Sequence, residues 1–252
     1  MVPVYLFLGA VIFIYGSIFG SFLNVCIYRI PKKESIVSTP SHCMNCGYRL
    51  KWYDLVPLFS FLFLKGRCRQ CKTKLSWQYP VVEALNGVLW VLTFAFCGMT
   101  WDSLFACFLI SALLVLSVID WRTYEIPLGI NIFIAVLGMI ILLVHRDQWL
   151  VHVLGFFCIS VLLWLIYLAT KGRGIGGGDM KLMAVCGLFL GWKEIILAFL
   201  LGCIIGSVVH IIRMRITKCD HVLALGPYLS IGVVLAMLWG NQWITWYFGQ
   251  FI

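Results

Sequence analysis

Four cysteines near the start of the chain have the spacing of a metal site. They form two C-x2-C pairs, "CMNC" at 43–46 and "CRQC" at 68–71, separated by 21 residues. Four thiolates at this spacing suit tetrahedral zinc, and the glycines in "NCG" and "GRC" favour tight turns around the metal. We therefore predict a structural zinc ion bound by Cys43, Cys46, Cys68 and Cys71. Redox-active or unliganded thiols are the alternative, and His42 is interpreted as a surface residue rather than a ligand.

Two aspartates lie beside long apolar segments. Asp120 ends the segment in "LLVLSVIDWRTYEIP", and Asp179 follows the glycine-rich stretch "GRGIGGG" at 172–178. Hydrolysis by paired aspartates requires one ionised base and one protonated acid that share a water molecule. Two acids at the edges of different apolar segments favour a functional pair. The structural alternatives are an interfacial charge paired with Arg122 for Asp120, and a helix N-cap for Asp179.

The glycine-rich stretch also matches the pattern G-x-G-x-x-G. It follows the apolar helical segment "VLLWLIYLAT" rather than a strand, and no G-K-[ST] comes after it. A dinucleotide-binding loop with this pattern follows a strand, and a P-loop ends in G-K-[ST]. We therefore disfavour nucleotide binding.

The composition is that of an integral membrane protein. Hydrophobic residues make up 62% of the 252 residues and charged residues only 12%, and the mean hydropathy is +0.99, which excludes a soluble globular protein. The apolar runs are continuous rather than alternating, so they predict helices and not a membrane barrel. We expect an all-α membrane protein with about eight transmembrane helices and a small zinc-binding cytoplasmic loop domain. The candidate segments are 4–27, 81–98, 103–120, 128–144, 150–169, 180–191, 195–212 and 222–239.

The basic residues predict the orientation in the bilayer. With the N-terminus outside, 17 of the 19 basic residues, Arg173 and Lys218 among them, fall on inner connections, and only Arg146 and Lys193 fall outside. Because inner loops carry the excess of Lys and Arg, we expect both termini outside and the aspartates at the cytoplasmic face. The net charge of +9 is thus explained by topology rather than by nucleic-acid binding. In the reducing cytoplasm stable disulfides are not expected, and Cys219 has no obvious partner.

Several motifs, taken together and in this order, resemble those of the type IV prepilin peptidases, membrane aspartyl proteases of the G-x-G-D type. In addition to the two cysteine pairs, they are "GSFLNVCIYRIP" (20–31), "DLVPLFSFLFLKGRCRQC" (54–71), "QYPVVEALNG" (78–87), "IDWRTYEIP" (119–127), "GIGGGDMKL" (174–182) and "LGPYLSIG" (225–232).

The resemblance implies an activity and a set of site residues. It implies that Asp120 and Asp179 are the catalytic pair, that the basic leader of prepilins or pseudopilins is removed after a glycine, and that the enzyme lies in the bacterial inner membrane. Many members of the family then methylate the new N-terminus with S-adenosylmethionine. Glycines beside Asp179 would let an extended peptide approach closely, because they have no side chain. We expect substrate-binding or supporting roles for Gly176, Gly177, Gly178, Arg122 and Glu83, although Glu83 could equally serve packing.

The domain organisation that follows has three parts: a first transmembrane helix at 1–30, the cytoplasmic zinc-binding loop at 31–80, and a polytopic protease domain at 81–252. Two other functions remain open at this stage. A zinc-organised methyltransferase would need a cofactor pocket near the loop, yet no glycine-rich strand–helix unit is evident. In a membrane transporter or scaffold the two aspartates would be a proton relay, but they lie at the edges of segments and no inverted repeat is evident.

Overall fold

The computed structural model describes residues 2–172, 174–217 and 223–250. Within them the protein is helical and has no β-strand beyond two isolated bridges. Arg173, Lys218 and Cys219, which the expectations above include, lie outside the described residues. The helices are α1 (Val2–Arg29), α2 (Phe59–Phe63), α3 (Gln78–Cys97), α4 (Trp101–Thr123), α5 (Leu128–Val144), α6 (Trp149–Ala169), α7 (Gly177–Leu190), α8 (Trp192–Thr217) and α9 (Gly226–Gly249).

The helices confirm the predicted all-α membrane fold but not the number of crossings. Among the residues that the structure describes, five segments are long and apolar enough to cross a membrane, namely Val4–Arg29, Gln78–Cys97, Trp101–Thr123, Arg146–Ala169 and Trp192–Ile216. Helix α5 is apolar but shorter. Helix α7, which contains most of the predicted segment 180–191, has 14 residues, and at 1.5 Å per residue it extends only about 21 Å, less than the hydrocarbon thickness of about 30 Å.

The chain divides into two compact units, residues 1–115 and 116–252, here called unit 1 and unit 2. In unit 1, helices α1 and α3 pack closely where both present glycine. A Cβ atom on Gly16 would lie 2.8 Å from the Cα of Gly87, so only glycine permits this approach. The side-chain amide of Asn86 donates to the carbonyl oxygen of Gly16 at 2.7 Å, and the Ser111 hydroxyl donates to the Asn86 oxygen at 2.9 Å. These bonds pair polar groups that would be costly to bury alone.

In unit 2, the short helix α7 is surrounded by α5, α6, α8 and α9. Its residues Leu182, Met183 and Cys186 have no exposed surface, so this helix is apolar because it is buried in protein. Helices α6 and α7 meet at Gly155 and Gly187, where a Cβ on either residue would collide with the backbone of the other. This packing on several sides fixes the first turn of α7, which carries Asp179.

Candidate active site and metal centre

Asp120 lies near the end of α4 and is buried, with 4% of its surface exposed. The backbone N–H of Gly226, the first residue of α9, donates to its Oδ2 atom at 2.9 Å. A Cβ atom on residue 226 would lie only 2.7 Å from the same oxygen, so the contact requires glycine. Gly226 therefore positions the carboxylate. This role was not predicted, although Gly226 lies in the motif "LGPYLSIG"; a glycine in a motif with no assigned chemistry was the only sign of it in the sequence.

Asp179 is the third residue of α7 and is not its N-cap. The helix begins at Gly177, and the N-cap residue is Gly176, so the structural alternative considered for Asp179 was wrong about its position. The backbone N–H of Gly176 donates to the Asp179 carboxylate, while the Asp179 N–H donates to the Gly176 carbonyl at 3.2 Å. A negative charge in the first turn of a helix is also favoured by the helix dipole.

The two aspartate motifs meet within unit 2. A Cβ atom on Gly178 would lie 2.9 Å from the Cβ of Ile126, so the chain after Asp120 packs against the residue before Asp179. Asp179 precedes the apolar part of α7 and lies outside the five candidate spans. Burial, and after it the negative charge of Asp120, raises the pKa of Asp179 to about 7. The carboxylates thus interact electrostatically, and Asp179 is partly protonated near neutral pH.

The supporting residues around the aspartates have different environments. Arg122 is exposed and lies two residues after Asp120, and residues two apart on a helix point to different sides. Nothing lies within 4 Å of a Cβ built on Gly177, whereas Gly178 is packed against Ile126. Adjacent glycines therefore do different things: Gly177 leaves open space beside Asp179, and Gly178 permits close packing.

The four predicted metal ligands come together in unit 1. Their sulfur atoms all lie within 4.8 Å of one another, with 3.8 Å between Cys43 and Cys71 and 4.0 Å between Cys46 and Cys68. A tetrahedral zinc ion with Zn–S bonds of about 2.3 Å requires sulfur separations of about 3.8 Å. The thiols are free rather than joined as disulfides. The donor set and its spacing therefore fit zinc.

Each cysteine pair is held by the same local turn. In the first knuckle the N–H of Cys43 donates to the carbonyl of Tyr48, and in the second the N–H of Cys68 donates to that of Thr73. Four residues after each of these cysteines the backbone has positive φ, 70° at Gly47 and 59° at Lys72. The prediction from "NCG" was thus right about Gly47. In the second knuckle Lys72 takes the position equivalent to Gly47, and Gly66 has positive φ, 65°, in the turn just before Cys68.

One ligand is already favoured as a thiolate by its surroundings. Hydrogen bonds from the Thr73 hydroxyl and backbone, and from the Asn45 amide, lower the pKa of Cys71 to about 5. The thiolate is the form that binds metal. His42 is exposed, lies outside the four-cysteine cluster, and places its Nδ1 atom 3.1 Å from the Pro40 carbonyl oxygen.

Glu83 is located in unit 1, and the two aspartates belong to unit 2. Its carboxylate is buried on α3, with 7% of the residue exposed. The backbone N–H of Leu58 donates to Oε2 at 2.8 Å, and the Ser21 hydroxyl also donates to this carboxylate. Glu83 therefore joins α1 and α3 to the loop that precedes α2.

Comparisons with known proteins agree with the motifs in both units. Residues 14–97 match the model of the Bacterial Peptidase A24 N-terminal domain, and residues 107–211 match that of the Type IV leader peptidase family. The chain is 34% identical to a prepilin leader peptidase/N-methyltransferase of Bacillus subtilis, covering 94% of this chain and 97% of the relative. It is 30% identical to the protein of the same name from Pseudomonas putida, covering 90% and 89%. No solved structure matches the chain.

Proposed function

The chain belongs to the type IV leader peptidase family, and we propose that it removes the basic leader from prepilins or pseudopilins with Asp120 and Asp179 as its catalytic residues. One observation carries the residue assignment: two carboxylates that are 59 positions apart in sequence interact in unit 2, and burial, followed by the negative charge of Asp120, raises the pKa of Asp179 to about 7. Paired acids with separated titrations are what aspartic proteolysis requires.

The roles of the two aspartates differ. Asp179 is assigned as the protonated acid, because burial and the charge of Asp120 raise its pKa to about 7. Asp120 is then the ionised base, and its carboxylate accepts the Gly226 N–H, a bond that stabilises the charged form. Asp120 takes a proton from water as the water oxygen attacks the carbonyl carbon of the last leader residue, the glycine, and Asp179 donates a hydrogen bond to the carbonyl oxygen. The tetrahedral intermediate collapses as the C–N bond breaks and the leaving amine accepts the proton from Asp120, which restores the Asp120 carboxylate. Gly177 leaves room for the extended substrate backbone beside Asp179.

The membrane placement is part of the proposal. The protein lies in the bacterial cytoplasmic membrane, and the aspartates and the loop at 31–80 face the cytoplasm. This orientation is supported by the excess of basic residues on the inner connections. A prepilin leader is basic and precedes an apolar helix, so its scissile bond would reach the same face. The remaining partners are the lipid bilayer and, for the loop, a zinc ion held by the four cysteines.

The second step of the proposed function is N-methylation of the new N-terminus with S-adenosylmethionine as the donor. It is supported by the names of the relatives, which are prepilin leader peptidase/N-methyltransferases. A transporter that uses the aspartates as a proton relay is not supported by any of these relatives.

Co-expression with a prepilin tests both steps. The protein is expressed together with a type IV prepilin in cells that lack their own leader peptidase, and the pilin is analysed by mass spectrometry. We expect a mature chain that begins after the leader glycine and carries one added methyl group. An uncleaved prepilin, with the enzyme present in the membrane, would contradict the proposal.

Reporter fusions test the orientation. Fusions after residues 75, 122 and 175 should report the cytoplasm, and fusions near 100 and 147 should report the outer side. An external signal at 175 together with a cytoplasmic signal at 122 would place the two aspartates on opposite faces and exclude their joint catalysis.

A further inference from the structure

Helix α2, in the loop at 31–80 of unit 1, exposes large apolar side chains on one side. Phe59, Leu62 and Phe63 are 60%, 68% and 84% exposed, and they have the i, i+3, i+4 spacing of a single helix face. Phe61, on the opposite side of the helix, is buried. The three exposed side chains are here called the α2 face. An exposed apolar surface of this kind marks contact with a protein or a membrane.

Helix α2 is fastened to the end of a candidate membrane span. The backbone N–H of Leu58, the residue before α2, donates to the Glu83 carboxylate at 2.8 Å, and the ring of Phe61 lies 5.1 Å from that of Trp77, which directly precedes α3. Helix α3 has 20 residues, about the number needed to cross a bilayer, so its first turns lie at the membrane surface. Glu83 is only about 8 Å along the helix from its first residue. These two contacts hold α2 at the level where α3 enters the membrane.

The charges around the α2 face match those of a bilayer surface. The loop at 31–80 has nine basic residues and two acidic ones, and one of the acids, Asp54, is paired with Arg69 at 2.7 Å. Lys65 and Arg67, which follow α2, are exposed. Anionic phospholipids attract basic residues that lie close to a membrane. An apolar helix face bordered by basic side chains is the arrangement with which helices lie in a membrane surface.

We propose that the α2 face is inserted into the surface of the bilayer, with anionic lipid headgroups against Lys65 and Arg67. Lipid is favoured over a protein partner because α2 lies at the level of the membrane surface and the loop begins and ends at candidate spans. The loop is then attached to the membrane at three points, which are the end of α1, the start of α3 and α2 itself. The second cysteine knuckle begins five residues after α2, at Cys68, so the four-cysteine cluster is kept close to the membrane.

Site-specific photo-crosslinking identifies what covers the α2 face. The photoreactive amino acid p-benzoylphenylalanine replaces Phe63 in the full-length protein, which is reconstituted with a prepilin into vesicles of phosphatidylethanolamine and the anionic phosphatidylglycerol, irradiated and analysed by mass spectrometry. We expect lipid adducts in a yield similar to that at Phe7, an exposed residue of the α1 span. The matched control is Val37, which is 88% exposed in the same loop but outside α2, and it should give no lipid adducts above the unirradiated background.

A charge on the α2 face should release it from the bilayer. With the photoreactive residue in place of Phe59, Phe63→Asp should lower the yield of lipid adducts at position 59 at least roughly tenfold, because the burial of one phenylalanine side chain is lost. Val37→Asp should leave this yield unchanged. Both substituted side chains are exposed, so neither change disturbs packing within unit 1.

Each result supports or overturns the proposal. Adducts at position 63 to the prepilin or to a second copy of the chain in place of lipid, no adduct at that position, or equal lipid labelling at positions 63 and 37 would overturn it. Unchanged labelling at position 59 in Phe63→Asp would do the same. If a change at Phe63 lowers the amount of protein in the membrane, the same change is made at Leu62. Prepilin cleavage is not part of the measurement, so the result does not depend on the peptidase assignment.

Discussion

The cysteine knuckles and the aspartate pair both bring functional groups together, but these groups are separated by very different lengths of chain. The four cysteines lie within 29 consecutive residues, and each pair is shaped by hydrogen bonds inside its own turn. The aspartates lie on α4 and α7, which are separated along the chain by α5 and α6. Their positions depend on contacts with Gly226 and Ile126. A metal would complete the first site, and helix packing completes the second. Damage to one should therefore leave the other largely intact.

The largest effect is expected from removing either carboxylate. Asp120→Asn and Asp179→Asn keep the shape of the side chain but remove its acid–base function, so each should lower prepilin cleavage by at least roughly 10³-fold. The double variant should be little worse than either single variant, because the pair acts as a unit. Cleavage is followed by mass spectrometry of the pilin, and zinc content should stay at the wild-type level. If Asp179 served only the first turn of α7, asparagine would cost about 0.3–1 kcal/mol of helix stability and cleavage would continue.

Removing two of the four cysteines should have the reverse effect, with zinc lost and prepilin cleavage largely kept. Cys43→Ser with Cys68→Ser should reduce bound zinc from about one ion per chain to none and should expose the loop to proteolysis, because small metal sites fold with their metal. Cleavage should fall by less than about tenfold, since the cysteines belong to unit 1. Zinc is measured by mass spectrometry of the metal, and Cys97→Ser, at an exposed cysteine outside the cluster, is the matched control. Full retention of zinc in the double variant would place the ligands elsewhere.

The pH dependence sharpens the assignment of acid and base. The pKa of Asp179 is raised to about 7 by burial and by Asp120, so Asp179 is protonated below this pH and loses its proton above it. If it is the acid, kcat/KM for prepilin should fall about tenfold per pH unit above about 7. The rate is measured in nanodiscs between about pH 6 and about pH 9, with zinc content checked at each pH. A rate that rises through this range would mean that Asp179 is instead the base.

The smallest effect concerns two adjacent glycines. A methyl group on Gly178 would meet Ile126, whereas one on Gly177 would meet open space. Gly178→Ala should cost about 1–3 kcal/mol through overpacking and lower both thermal stability and kcat. Gly177→Ala should leave stability unchanged and raise KM, because the methyl group occupies space proposed for the substrate. Equal effects of the two substitutions on KM and on melting temperature would refute the distinction between packing and substrate approach.

The four-cysteine cluster was predictable from sequence because its geometry is local. Two C-x2-C pairs almost define their own turns, and the sulfur atoms lie where four ligands of one ion must lie. The exception is Lys72, which has positive φ where glycine would be expected. The turn is closed by the Cys68 N–H, which donates to the Thr73 carbonyl, and by the Lys72 N–H, which donates to the Cys68 carbonyl. A pattern search for glycine misses this position.

The aspartates were predictable as candidates but their surroundings were not. Their positions beside apolar segments and in two motifs could be read directly, and the family comparison agrees with those motifs. The contact of Gly226 with Asp120 could not be predicted from the sequence. It depends on the start of α9 meeting the end of α4, and the two residues are more than 100 positions apart. The N-cap position of Asp179 was misassigned because capping depends on the residue at which the helix begins, and three successive glycines leave that open.

The sequence by itself determined the membrane class, the helical fold, the four candidate metal ligands and the two candidate acids. These follow from composition, from continuous apolar runs and from short spacings, which depend only on neighbouring residues. Tertiary structure decided that α7 is buried among four helices rather than long enough to cross a bilayer, that Asp179 interacts with Asp120, and that the buried Glu83 accepts the Leu58 N–H. Burial and charge pairing depend on residues brought together by packing, and a single sequence does not state which helices will meet.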